Sequence, residues 1–391
     1  MRILYSFNKR GSEGEYWFRE IAAASSERHT FVPFNHDSYV AGHRYRRAQM
    51  LDDLYFEKDA GLMQLYAAFE AKLSAENIGT VVVDNQNPYH PDYLRSIPVY
   101  KVLRTSDGPL VAYDRDLAYL HAFDHVLYHS PAYSRDMGMA DKLKYCGATK
   151  VDFWPLGTFE ANHDAARPEE EVFRQDRDID VVFVGAMHLK KMPMLAAVKK
   201  ALGNGIRMYG LTSLKRNLYF NAKYGFPGWI RTLPFADYVR LYQRAKIGIN
   251  IHNRGDYSVG NYRLFDLPAN GVMQISDGGD NLNRFFEVGR EIEAYSGLDD
   301  LLEKVRWYLA HEEERTAIAR NGYRRALREY RIAEVLHRGA ELIERGMKRG
   351  GWPRVERAPG VRTGLAFSSP ASHDRDGDRV DRSTPPRKEN A

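Results

Sequence analysis

Asp180-Val181-Val182-Phe183-Val184-Gly185-Ala186-Met187-His188-Leu189-Lys190-Lys191-Met192-Pro193 carries an unbroken apolar run into a glycine. Two lysines follow, and a proline stands where a helix would begin. A continuous rather than alternating apolar run marks a strand buried on both faces, as in a parallel sheet covered by helices. The rhythm repeats downstream: Ile206 to Gly210, Ile247 to Ile251 and Val272 to Ser276 read as strands, with helices over Phe235 to Ala245 and Arg263 to Asn270. Asp299 to His311 and Glu312 to Gly346 are amphipathic and helical. Upstream, Ile3 to Phe7, Thr30 to Pro33, Thr80 to Asp84, Val99 to Leu103, His125 to Tyr128 and Val151 to Trp154 read as six further strands. A helix from about Glu15 to Ala24 and one long helical stretch from about Arg44 to Glu76 lie among them. Strands alternating with helices predict an α/β chain of two Rossmann-like domains in tandem.

The domains are expected at 1–160 and 179–330, joined by a polar linker over 161–178, with a further helix over 331–350. After Trp352, Arg, Asp, Pro, Ser and Gly dominate, and 352–391 is expected to be a disordered tail that cannot offset its chain entropy. The 391 residues are 43% apolar, which excludes wholesale disorder. The 57 Lys+Arg exceed the 52 Asp+Glu by five, too mild a surplus for a dedicated nucleic-acid arm. Cys146 is the single cysteine, which excludes a disulfide framework and a thiolate metal cluster. No apolar run nears the roughly 18 residues that span a bilayer, and Met1 to Asn8 lacks the pattern of a signal peptide. A cytoplasmic protein is expected.

Three stretches carry chemistry. Gly185 to Pro193 ends a strand in a glycine and places Lys190 and Lys191 before a helix, an arrangement that favours phosphate; its plain alternative is a strand-to-helix turn with two solvated lysines. Ile249 to Asp266 ends a strand at His252-Asn253, passes a glycine loop with Gly260 and Asn261, and opens a helix with Arg263 and Asp266 one turn apart. There a carboxylate can accept from a ribose diol, an arginine can bridge pyrophosphate oxygens, and a glycine lets backbone approach closely. Gly271 to Asp280 delivers a third strand end into Gly278-Gly279. The thirteen histidines are scattered and none repeats a metal-site spacing, so no metal is expected. The aromatic group Tyr219-Phe220, Tyr224, Phe226 and Trp229 reads first as packing. The arginines from Arg320 to Arg331 suit an exposed helix with weak membrane-surface attraction.

The run from Val182 to about Arg331 resembles the C-terminal domain of GT-B glycosyltransferases, in particular the CgeB-type (spore-maturation-protein-like) group. The resemblance rests on Phe183-Val184-Gly185, Tyr209-Gly210, Tyr242 to Asn250, Tyr262 to Asp266 with Ala269-Asn270-Gly271, Phe286 to Glu291, and Ile318 to Gly322. The N-terminal half is similar to the acceptor-side domain through Arg104 to Pro109, Tyr128-His129-Ser130 and Trp154 to Gly157. The resemblance implies two Rossmann-like halves facing a cleft, with a nucleoside-diphosphate sugar on the second half and the acceptor on the first. Lys190, Lys191 and Arg263 would hold the diphosphate beside Gly185, His252, Gly260 and Asn261, without a metal or other cofactor. Arg231-Thr232-Leu233-Pro234 would lie against the base. Asp266 stands where related sequences carry a ribose-binding glutamate. The final helix would cross back onto the first half.

Gly11, Ser12 and Asn85 are the expected acceptor-side contacts. The family's first-loop histidine is missing from Asn8 to Gly14, so Asp107 is the preferred general base, with His90 the second choice. Retention and inversion both stay open. The implied partners are the donor and an unidentified hydroxyl acceptor. The rival readings are a non-catalytic nucleotide-sugar-binding protein and a DNA-modifying glycosyltransferase.

Overall fold

The computed structural model describes residues 1–84, 87–105, 113–253 and 259–349. In chain order the first half runs β1 (Arg2–Phe7), α1 (Gly11–Ala23), β2 (Thr30–Asn35), α2 (Ala48–Phe56), α3 (Ala60–Ala75), β3 (Thr80–Asp84), α4 (Pro91–Ser96), β4 (Tyr100–Thr105), α5 (Tyr113–Ala118), β5 (His125–Tyr128), β6 (Ala132–Ser134), β7 (Met137–Gly138), α6 (Met139–Tyr145) and β8 (Val151–Phe153). Its sheet is parallel with strand order β2-β1-β3-β4-β5-β8, and β6 and β7 form a separate antiparallel pair. The second half runs α7 (Glu169–Arg174), β9 (Ile179–Val184), α8 (Met192–Leu202), β10 (Ile206–Tyr209), α9 (Leu214–Tyr224), α10 (Tyr238–Gln243), β11 (Ala245–Asn250), α11 (Arg263–Ala269), β12 (Met273–Ser276), β13 (Glu293–Ala294), α12 (Leu298–Ala310), α13 (Glu312–Glu329) and α14 (Ile332–Arg349). Its sheet is also parallel, ordered β10-β9-β11-β12-β13. Two Rossmann-like α/β halves are therefore present, as the apolar runs predict. No helix among the described residues is long and apolar enough to cross a membrane.

Successive strand side chains point to opposite faces, and both faces of the first sheet are covered. Leu4 of β1 packs with Val81, Leu103 and the α3 residues Leu62, Leu65 and Phe69. Ile3, Tyr5 and Phe7 pack on the opposite face with Trp17 and Ile21 of α1 and with Val335, Leu336 and Ile343 of α14. The last helix thus leaves the second half and closes a face of the first. Trp154 Nε1 donates to Val335 O at 2.7 Å there, and Glu344 pairs with Arg28 at 2.6 Å.

Four sequence expectations need correction. The helical stretch over Arg44 to Glu76 is two helices, because Lys58 takes a left-handed φ of 54° and the Asp59 side chain caps α3 by accepting from Leu62 N at 3.1 Å. The stretch over Glu312 to Gly346 divides into α13 and α14, consistent with a separate helix over 331–350. Thr158 N donates to Tyr330 O at 2.7 Å and Ile332 N to Thr158 O at 2.9 Å, so the chain at Arg331 is drawn into a bridge instead of a helical turn. The stretch read as linker contains α7, and α1 starts at Gly11 rather than Glu15. The region of aromatic density holds a helix, α9, that went unread. The tail after Trp352 lies outside the described residues.

Gly339 sits where α14 crosses Trp154, and a Cβ there would stand 2.2 Å from Trp154 Cζ2. Gly339→Ala is expected to destabilise the protein by about 1–3 kcal/mol, because overpacking outweighs the roughly 1 kcal/mol of helix propensity that alanine adds. Urea unfolding measures this, and an unchanged or raised midpoint would show that α14 does not bear on Trp154 as tightly as the geometry states.

Candidate functional site

In the second sheet the strand order reverses between β9 and β11, and ligands of open α/β sheets bind outside the carboxyl ends of strands at such a point. Arg263, the first residue of α11, reaches into this crevice. Its Nε donates to Val184 O, its Nη1 to Asn250 Oδ1 at 2.9 Å, and its guanidinium lies 4.7 Å over the Phe183 ring. A Cβ on Gly185 would stand 1.7 Å from Nη2, so the glycine is what makes room for the guanidinium. Asn261 Nδ2 donates to Asn250 Oδ1 at 2.9 Å, while its own Oδ1 accepts from Leu264 N at 3.0 Å. The asparagines and the arginine form one frame at the end of β11.

His252 is fixed by Asp277, at the end of β12. The carboxylate accepts from His252 N at 2.8 Å and faces Nδ1 at 2.6 Å, which leaves Nε2 to accept from Gly260 N at 3.4 Å. Gly260 has a φ of 109°, and a Cβ there would stand 3.1 Å from His129 O of the first half. A side chain at that point would press the two halves apart.

A cavity of about 640 Å³ opens beside this frame, lined by Lys190, Lys191, His252, Asp277, Tyr295 and Lys304 among others. Lys191 is 5% exposed and stands at the N-cap of α8. Burial, with the Arg263 charge as second cause, pushes its amine down to about 7 against the opposing pull of Asp277. Burial likewise lowers Arg263 from its ordinary value. Neither cation has a carboxylate within 4 Å among the described residues. Two neighbouring cations, Lys191 buried and Arg263 half-buried, with no carboxylate in contact among the described residues, repel each other and favour an anion beside them.

Asp266 faces the segment that joins the halves. Its Oδ1 accepts from Thr158 Oγ1 at 2.7 Å and Asn162 Nδ2 at 3.4 Å, and Asn270 Nδ2 in turn donates to Asn162 O at 2.8 Å. Burial raises its carboxyl to about 7, against the hydrogen bonds from Thr158 and Asn162 and the Arg263 charge. Leu233 packs beside Leu241 and Tyr242 and is not among the residues lining the cavity.

The first half brings the remaining candidates to different places. Gly11, with φ 53°, and exposed Ser12 begin α1, and Gly11 borders a separate cavity of about 890 Å³ with Phe18, Phe34 and Tyr39. His90 caps α4 by accepting from Asp92 N at 3.2 Å, stacks on Tyr55 at 3.9 Å and has Nε2 3.3 Å from Asp52. Burial lowers its pKa. These are the contacts of a structural histidine wedged between α2 and α4. Asn85 and Asp107 lie outside the described residues. Sequence reasoning left Asp277, Tyr295 and Lys304 unassigned. Asp277 was visible as a strand-end carboxylate, but Tyr295 follows a two-residue strand with no periodicity to betray it.

A buried trio at the ends of β3 and β4 also went unread. Tyr5 OH donates to Asp84 Oδ2 at 2.5 Å, and Arg104 Nη1 donates to Tyr5 OH at 2.6 Å while its guanidinium lies 4.0 Å over Trp154.

Residues 191–341 match a family model described as Glycosyl transferase-like. No curated protein matches the chain by sequence. Among solved structures the fold is similar to sucrose-phosphate synthase from Thermosynechococcus elongatus, at 11% identity and a TM-score of 0.60, covering 89% of this chain and 99% of that one. It is also similar to HepE of Anabaena, solved in complex with UDP-glucose, at 12% identity and a TM-score of 0.55, covering 88% and 100%. A glycosyltransferase from Rickettsia africae matches at 11% identity and a TM-score of 0.53, over 89% and 98%. The architecture is that of the GT-B fold.

Proposed function

We propose that the protein is a glycosyltransferase that moves a sugar from a nucleoside-diphosphate sugar to a hydroxyl acceptor. The observation that carries this reading is the pair of cations, buried Lys191 and half-buried Arg263, with no carboxylate in contact among the described residues, at the strand reversal of the second sheet. A diphosphate supplies the missing negative charge. The same two groups then stabilise the charge that grows on the leaving diphosphate as the glycosidic bond breaks, which is how fixed cations accelerate such a step. Two side-chain cations give that compensation without a metal ion, so metal-independent transfer is part of the proposal. Asp266 keeps Oδ2 for a ribose diol while Thr158 holds Oδ1. The family description over 191–341 and the UDP-glucose complex of HepE support a uridine nucleotide as the first donor to try. The acceptor approaches from the first half, and the CgeB-type grouping is part of the same reading.

A thermal-shift panel of nucleoside diphosphates and their sugars tests it. A ligand at about 100 times its Kd adds roughly 2.7 kcal/mol of stability. The shift is expected with one base, and is expected to vanish in Arg263→Ala and in Asp266→Ala. A shift that persists in Arg263→Ala would move the diphosphate elsewhere. Binding without release of nucleoside diphosphate, across a panel of hydroxyl acceptors, would favour the binding-protein reading.

A further inference from the structure

Between Asp180 and Asp237 the chain has no acidic residue, yet it carries Lys190, Lys191, Lys199, Lys200, Arg207, Lys215, Arg216, Lys223 and Arg231. Lys191 belongs to the cavity described above, and Lys199 donates to Gly203 O and Ile206 O at 2.6 and 3.1 Å. The other seven are exposed, and none has a carboxylate within 4 Å among the described residues. The same segment exposes large apolar side chains: Leu211, Leu214, Leu218 and Trp229 are each more than half exposed.

These two properties meet on α9. At 100° per residue, the inward face of the helix is that of Asn217 and Phe220, which are buried. Leu214, Lys215, Leu218, Tyr219 and Ala222 occupy the outward side, and all are exposed. Trp229 is held beside them. Asn221 Nδ2 donates to Gly228 O at 3.0 Å, and Asn217 exchanges hydrogen bonds with Ile230 N and O at 3.0 and 3.1 Å. The loop carrying Trp229 therefore runs along the flank of α9 next to the Leu214–Leu218 row. Lys200 closes the far end, since a Cβ on Gly225, the α9 C-cap, would stand 2.9 Å from its Nζ.

We propose that the outward face of α9, with Leu214, Leu218 and Trp229 ringed by Lys200, Lys215, Arg216 and Lys223, docks the protein on an anionic membrane surface. An amphipathic helix with leucine and tryptophan among lysines and arginines is the pattern that lies in the headgroup layer. Two copies of this face would bring like charges together, and a nucleic acid, although it could stack on Tyr219 and Trp229, would leave the exposed Leu214 and Leu218 without a partner. The arginines of α13, with Arg331 just beyond it, are the weaker candidate: Arg320 and Arg324 pair with Glu169, Arg325 and Arg328 with Glu329, and Arg331 with Glu160. The proposal goes beyond the donor reading and does not depend on it.

The test is co-sedimentation of the full chain with vesicles of phosphatidylcholine alone and of equal parts phosphatidylcholine and phosphatidylglycerol. Binding is expected on the anionic vesicles and to weaken with added salt. Lys215→Ala with Lys223→Ala is expected to lower partitioning roughly 30-fold, since each basic residue near the surface is worth about fivefold. Leu214→Ser with Trp229→Ser is expected to lower it on the order of 100-fold by removing the buried apolar area. All four side chains are exposed, so an unchanged melting temperature is the control for folding. Equal partitioning to both vesicle types, or binding that survives both double variants, overturns the proposal. So does a dimer that dissociates in Leu214→Ser with Trp229→Ser, which would make the face a contact between copies. Retention of single-stranded RNA in place of vesicles, lost in the lysine variant, would overturn it as well.

Discussion

Gly185→Ala is expected to lower donor-dependent turnover by about 10²–10³-fold and to erase the nucleotide thermal shift, although the substitution adds one methyl group and touches no charge. The new Cβ would stand 1.7 Å from Arg263 Nη2 and 2.8 Å from Cζ. The backbone of β9 is buried in a sheet and cannot yield, whereas the guanidinium ends a flexible chain, so Arg263 is the group that moves. It then loses Val184 O and Asn250 Oδ1 as acceptors and leaves its place over Phe183. Arg263→Ala should do the same damage. Combined with Gly185→Ala it should add little, because both act on one interaction. Arg263→Lys should not rescue, since an ammonium lacks the planar fork that reaches a carbonyl, an amide and a phosphate together. Steady-state release of nucleoside diphosphate and the melting shift measure all four proteins. A Gly185→Ala enzyme with native turnover would show that Arg263 does not work from the position seen here.

That coupling marks where the sequence stops being legible. The run ending at Gly185 and the helix opening at Arg263 are each readable, because a parallel strand and the helix after a glycine loop leave periodic signatures. Their contact joins residues 79 apart, and no periodicity encodes it. Asp266 behaves likewise. Its place one turn after Arg263 can be read, but its partners Thr158 and Asn162 come from the stretch that sequence treats as plain linker. The two helix breaks have different physical causes, and only the one at Lys58 is hidden in the sequence. The apolar spacing of Leu51, Leu54, Leu62 and Leu65 continues across a left-handed Lys58, whereas the stop at Tyr330 is imposed from outside by Thr158. The α9 helix was hidden by inversion: Leu214 and Leu218 point to water, so the pattern that normally reveals a helix is reversed.

Affinity for a nucleoside-diphosphate sugar is expected to fall as pH rises above 7, by about tenfold per unit until the pKa of the bound state is reached; below 7 the profile belongs to Asp266, whose carboxyl burial also raises to about 7. In the free protein, burial and Arg263 hold Lys191 at about 7. Below that pH the amine is already charged when the diphosphate arrives, so binding takes up no proton at Lys191. Above it the neutral amine must first gain one, and the cost grows with each unit. The sugar-linked diphosphate has no group titrating in this range, whereas a free nucleoside diphosphate does, so the sugar is the ligand to use. Stability of the unliganded protein should move in the opposite sense. A lysine with a lowered folded-state pKa disfavours folding while it is charged, so this residue's contribution rises from pH 7 towards the ordinary lysine value, by on the order of 5 kcal/mol in all. Lys191→Met is expected to remove the slope of both profiles above pH 7, leaving the titration of Asp266 below it, and to weaken binding at pH 6, where the native amine is charged. Lys191→Arg, which does not titrate, should bind equally at pH 8 and pH 9, where Asp266 is already ionised. Calorimetric binding and thermal melts over this range read the two slopes independently. A slope in affinity without the opposite slope in stability would place the titrating group on another residue; a flat affinity profile above pH 7 would remove Lys191 from the diphosphate site and leave Arg263 as its anchor.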